Sequence, residues 1–64
     1  MYKLLIKRYR KIRRITQKEL AYKIEISQNY LSELENNKYD IRLSLLCKIA
    51  KELNTSPKKL FIYK

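Results

Sequence analysis

The sequence predicts an all-α fold, with five short helices packed into one compact domain over residues 1–64. Three observations predict it. Apolar residues recur at three- and four-residue spacing, and no alternating run is long enough to argue for a strand. The 64 residues include no glycine and one proline, so conventional chain breaks are few. Helix-start signatures divide the chain instead: Thr16 with Glu19, Ser27, and Ser56 followed by Pro57.

The first helix is expected over roughly Leu4 to Arg14. Leu5, Ile6, Tyr9 and Ile12 share one apolar face, and Arg8, Lys11 and Arg14 share another. A second helix then starts at "TQKEL". The Thr16 hydroxyl suits an N-cap, and Glu19, three residues on, completes a capping box. Leu20, Ala21 and Ile24 form its buried face, and Ile15 is placed to staple against Leu20. This helix covers about residues 17–24.

Glu25 and Ile26 make the connection, and Ser27 caps the third helix, about residues 28–36. Leu31 and Leu34 point inward there, with Ile26 packing at the entry. Two short helices joined by so tight a turn form a helix-turn-helix. Asn36 and Asn37 end the third helix, because asparagine tolerates the left-handed conformation that closes many helices. "KYDIRL" reads as a loop. The fourth helix runs from Arg42 or Leu43 to Leu53, with Leu46, Ile49, Ala50 and Leu53 inward, Cys47 as a small buried or half-buried residue, and Asn54 as its left-handed cap. In the fifth, Ser56 caps and Pro57 takes the first helical position, where a missing N–H costs nothing.

Composition narrows the function. With one cysteine and no histidine, neither a disulfide nor a Cys/His zinc site is available, and acid–base catalysis has little to work with. No apolar run is long enough for a membrane span or a secretory signal, so cytoplasm is the expected location. The formal net charge of +10 calls for an anionic partner, nucleic acid before a membrane surface. That charge is uneven. Residues 1–16 carry seven basic and no acidic side chains, residues 17–36 carry two basic and four acidic, and residues 37–64 carry seven basic and two acidic. An acidic middle therefore lies between two basic flanks.

The stretches Arg10, "TQKELA" (16–21), "ISQNYLSELENNK" (26–38), "LLCKIAKEL" (45–53) and "SPKKLF" (56–61) together resemble the lambda-repressor-like helix-turn-helix domains of Cro/cI type, the Xre group. The resemblance covers nearly the whole chain from the first helix onward. It implies a compact five-helix domain that binds double-stranded DNA, with the third helix entering the major groove and the second crossing the backbone. The family commonly has glycine where this chain has Glu25, Asn37 and Asn54, and often proline where it has Ile41. Glu25 is the demanding departure, since a left-handed residue other than glycine costs about 1 kcal/mol or more.

On this frame, Gln28 and Asn29 open the recognition helix and carry the donor–acceptor pair that matches adenine in the major groove. Ser32 lies one turn on, beside Glu33, which reads either as an acceptor for a cytosine amine or as a solvated glutamate. Gln17 is expected at a phosphate, at the start of the second helix. Asn36, Lys38 and Arg42 are expected at the DNA backbone, with Tyr39 beside them. Tyr30 reads equally as a backbone or thymine-methyl contact and as a half-exposed aromatic. Lys7, Arg8, Lys11, Arg13 and Arg14 supply a diffuse positive field. The resemblance also implies an ion pair between Arg10 and Glu35 that sets the angle of the recognition helix.

A transcriptional regulator follows, expected to repress as a homodimer on a palindromic operator, with no cofactor, metal or small-molecule ligand and no separate effector domain. Leu60, Phe61, Ile62 and Tyr63, with Met1 and Tyr2, are assigned to the dimer interface; alternatively the terminal segments pair as a short ribbon. A second reading is an antitoxin, or another interaction module, that binds a partner protein and its own promoter. A third, a cationic membrane-active peptide, conflicts with the capped multi-helix pattern.

Overall fold

The computed structural model describes residues 2–63. The described residues form β1 (Tyr2–Leu4), α1 (Ile6–Ile12), α2 (Gln17–Lys23), α3 (Gln28–Glu35), α4 (Leu43–Glu52), a 3-10 turn (Pro57–Leu60) and β2 (Phe61–Tyr63). The described residues are thus mostly helical, with four α-helices rather than the expected five and a small sheet. The fifth helix is a single 3-10 turn, and the expected first helix gives up Leu4 to a strand. β1 and β2 pair antiparallel in the register Tyr2 with Tyr63, Lys3 with Ile62, Leu4 with Phe61. Leu5 N–H extends this ladder by donating to Leu60 O at 2.6 Å. The terminal segments therefore do pair as a ribbon, within one chain.

The helix starts follow their local chemistry. The Thr16 hydroxyl accepts from Glu19 N–H at 3.0 Å, and the Glu19 carboxylate accepts from Thr16 N–H at 3.0 Å. That backbone bond, then the Thr16 hydroxyl, holds the Glu19 carboxyl below the usual carboxylate range. The Ser27 hydroxyl accepts from Tyr30 N–H and caps α3. Ser56 departs from expectation: its hydroxyl makes no capping bond and lies buried without a hydrogen-bond partner among the described residues. A 3-10 turn closes on itself through Lys59 N–H to Ser56 O, so the cap is not required to hold it.

All four helices end in one motif, built without glycine. Arg14, Glu25, Asn37 and Asn54 have φ of 57°, 61°, 59° and 53°. Each donates its N–H back three residues, and the next residue donates five back, as Glu25 does to Tyr22 O and Ile26 to Ala21 O. This is the Schellman closure, which satisfies carbonyls the helix end would otherwise leave bare. Arg14 was not foreseen in this role, because arginine carries no compositional mark of a left-handed site. Glu25→Gly is expected to raise stability by about 0.5–1 kcal/mol, the relief of left-handed strain less glycine's larger chain entropy. A thermal midpoint up by ~2–8 °C checks it; an unchanged or lower midpoint would show that Glu25 sits there unstrained.

The core gathers Leu4, Ile6, Leu20, Ala21, Ile24, Leu31, Leu34, Leu45, Leu46, Ile49, Ala50, Leu53 and Leu60. Ile15, Ile26 and Tyr30 pack against it half-buried. Two expected inward residues lie outside: Ile12, on the last turn of α1, is 62 % exposed, and Cys47 is exposed on the outer face of α4. A short α1 runs past the edge of the core before its last turn, and Cys47 sits one position beyond the stripe of Leu45, Leu46, Ile49 and Ala50. Arg13 does not float in solvent. Its Nε donates to Leu53 O at 2.9 Å and its Nη2 to Asn54 O at 3.1 Å, closing the end of α4. Among the described residues, no helix is long and apolar enough to cross a membrane.

Candidate nucleic-acid interface

The candidate site is built on the α2–α3 pair. The capping box starts α2 with Gln17 at its first position, and the Ser27 cap starts α3 with Gln28 and Asn29 at its first two. Leu31 and Leu34 anchor α3 in the core. The opposite surface stays free. Gln28 and Asn29 are exposed, and Ser32 and Glu33 are half-buried. Gln17, Gln28, Asn29 and Ser32 line one open polar concavity of about 340 Å³. Three of these are expected base readers and the fourth an expected phosphate ligand, so folding brings together residues that the sequence separates.

Behind the concavity lies a charged network. Arg10 is buried, and the Glu35 side chain is only 2 % exposed. Arg10 Nε donates to Glu35 Oε2 at 2.8 Å and Nη2 to Oε1 at 3.1 Å, a two-pronged contact that a lysine has no geometry to make. Arg10 Nη1 donates to Ile15 O at 3.0 Å, which also ties the α1–α2 corner. Gln17 Nε2 donates to the same Glu35 Oε1 at 3.1 Å, and Gln28 Nε2 donates to Gln17 Oε1 at 3.4 Å. Hydrogen bonds thus run from the buried carboxylate through Gln17 to the first residue of α3. The Glu35–Gln17 bond was missed in the sequence, because eighteen residues separate the two and no local pattern links them.

The remaining expected contacts scatter. Asn36, Lys38, Tyr39 and Arg42 are all exposed. Arg42 lines a different concavity, with Glu25, Ile26, Ser44, Leu45 and Lys48. Tyr30 is half-buried against the core, with its ring 6.5 Å from that of Tyr39 and tilted by 44°. Of the expected dimer residues, Leu60 is 0 % exposed and belongs to the core, which corrects its assignment to an interface. It is the last residue of the 3-10 turn, which packs on α4, just before the exposed strand begins at Phe61. Phe61, Ile62 and Tyr63 are exposed. Phe61 and Tyr63 border an apolar groove of about 260 Å³ with Tyr2, Ile41, Leu43 and Leu46. Met1 lies outside the described residues.

Comparison with known proteins agrees with this geometry. Residues 6–60 match the Helix-turn-helix family. An uncharacterised HTH-type transcriptional regulator of Methanocaldococcus jannaschii is 38 % identical over 58 residues, which cover 91 % of this chain and 88 % of that one. A crystal structure of a putative DNA-binding protein from Bacteroides fragilis superposes with a TM-score of 0.92 at 31 % identity, over 97 % of this chain and all of that one. The crystal structure of SinR, the master regulator for biofilm formation, in complex with DNA matches with a TM-score of 0.77 at 33 % identity, over 83 % of this chain and 86 % of that one. A buried ion pair behind a polar-faced helix, on this fold and with these relatives, places the chain in the helix-turn-helix family of DNA-binding transcriptional regulators, which are not enzymes.

Proposed function

We propose that the protein is a sequence-specific regulator that represses transcription by occupying a palindromic operator as a homodimer. The observation that carries this is the concavity of Gln17, Gln28, Asn29 and Ser32: neutral hydrogen-bonding groups, with no lysine or arginine among them, on a chain of net charge +10. Basic side chains attract any phosphate backbone equally, whereas amides and hydroxyls distinguish base edges. In this reading α3 lies in the major groove, Gln28, Asn29, Ser32 and Glu33 face bases, and Gln17, Asn36, Lys38, Tyr39, Arg42 and Tyr30 face the backbone. That SinR, a structural relative, was solved in complex with DNA supports DNA as the partner.

One short helix reads few base pairs, and symmetric pairing of two copies doubles the site, with half-sites spaced by ~34 Å or a multiple of it. The exposed Phe61, Ile62 and Tyr63 beside an apolar groove support a second copy there. The test is selection of bound duplexes from a random pool, followed by the salt dependence of binding on the winner. An inverted repeat is expected to emerge. No enrichment over bulk DNA would sink the sequence-specific reading. Gln28→Ala is expected to erase ~1–3 kcal/mol of discrimination at one base pair and to leave nonspecific binding nearly unchanged. An equal loss on every duplex would remove Gln28 from base reading.

A further inference from the structure

We propose that Tyr2 and Asn37 are positioning residues for DNA binding: the terminal hairpin uses them to hold the loop after α3 in its backbone-contacting shape. This rests on the proposed phosphate contacts of that loop. The loop runs from Asn37 to Arg42 and carries Lys38, Tyr39 and Arg42. It contains no regular structure, and zero glycine or proline stiffens or bends it.

Strand β1 reaches it at both ends. Near its start, Asn37 Oδ1 accepts from Leu4 N–H at 2.8 Å. Near its finish, the Tyr2 hydroxyl accepts from Ile41 N–H at 3.1 Å and donates to Asp40 Oδ1 at 3.3 Å. Each bond spans more than thirty residues of sequence. The strand is itself held: Tyr2 pairs with Tyr63, its ring meets Phe61 edge-on at 6.2 Å, and Leu5 N–H donates to Leu60 O. Asn37 therefore does two jobs, with its backbone in the left-handed closure of α3 and its side chain on the strand.

The Asp40 contact adds an electrostatic part. Asp40 is the one carboxylate in a loop that otherwise offers lysine and arginine to a polyanion. A hydroxyl that donates to it keeps the carboxylate turned toward the hairpin. Without that hydroxyl, the side chain is free to approach phosphate and repel it.

Three variants separate these effects. Tyr2→Phe removes the hydroxyl and keeps the ring. Asn37→Gly removes the acceptor and keeps the left-handed backbone. Tyr2→Phe with Asp40→Asn removes the freed charge. Affinity for the selected duplex and for random duplexes is measured well below each thermal midpoint, together with hydrogen exchange at the Ile41 and Leu4 amides. Tyr2→Phe, which loses two hydrogen bonds, and Asn37→Gly, which loses one, are each expected to weaken binding by roughly three- to tenfold on every sequence, the range of a net hydrogen-bond contribution. Base preference should stay unchanged. The Asp40→Asn addition should recover part of the Tyr2→Phe loss.

A purely structural role would lower the midpoint and leave low-temperature affinity at the wild-type value; that result overturns the proposal. So does a loss confined to one sequence, which would mean the bonds act through α3. If the wild-type chain enriches no operator but binds all duplexes with salt dependence, base reading fails and these variants still decide the positioning role. If the wild-type chain shows no salt-dependent binding at all, both readings fall together.

Discussion

Arg10→Met is expected to cost ~3–5 kcal/mol of folding stability, because it strips a nearly inaccessible carboxylate of its cation. Glu35 is held by two bonds from Arg10 and one from Gln17. With Arg10 gone, a single neutral amide remains for a charge that water hardly reaches. The whole domain has little to spare: at typical values per residue, 64 residues retain about 3–10 kcal/mol of net stability. Much of the population should therefore unfold at moderate temperature, read by chemical denaturation. The double variant Arg10→Met with Glu35→Met should be more stable than either single one, since two apolar side chains need no desolvated partner. A single-variant cost under ~1 kcal/mol would indicate a hydrated Glu35 and a pair of no more weight than a surface contact.

The double variant also separates stability from presentation. Folded but lacking the two-pronged bond, α3 loses its side-chain hydrogen bonds to α1. Gln17 then has no buried carboxylate to donate to, and the bond it accepts from Gln28 loses its fixed end. A stable double variant with relaxed base preference would place the value of the ion pair in orientation.

Leu60→Ala is the second large effect, expected at ~2–5 kcal/mol of destabilisation with the cavity it leaves. Leu60 fills the core beneath the hairpin, and its carbonyl accepts from Leu5 N–H at 2.6 Å. The loss should be independent of protein concentration, because the side chain is covered within one chain. Tyr63→Ala, at an exposed position, should leave the isolated chain nearly as stable and shift any association instead. Destabilisation by Leu60→Ala that fades as concentration rises would return Leu60 to an interface.

The helix-turn-helix was legible in the sequence because its signals are local. The Thr16–Glu19 box acts over three residues, and the Ser27 hydroxyl over three. Asn37 and Asn54 mark helix ends because asparagine tolerates the left-handed region, and Glu25 stands where the resembled family has glycine; all three adopt the left-handed conformation. The pairing of Arg10 with Glu35 was legible through family resemblance, since nothing local joins residues twenty-five apart. Where local signals misled, a distant partner had intervened. Leu4 is the expected first residue of a helix, yet it lies in β1, paired with Phe61. Ser56 looks like a cap, yet its hydroxyl makes no capping bond to the 3-10 turn after it.

By itself, then, the sequence determined the order of the four α-helices, the caps that start α2 and α3, the inward stripes of α2, α3 and most of α4, and a polar outer face on α3. These depend on neighbours three to five residues away, whose geometry is set as soon as a helix forms. The tertiary structure alone decided that the two ends of the chain meet as strands, that Leu60 is core, that Arg13 closes α4, and that Tyr2 reaches the loop after α3. Each of these requires groups distant in sequence to become adjacent. Their partners are chosen by which backbone and carbonyl groups the packed helices leave unsatisfied, and that is defined only once the core has closed.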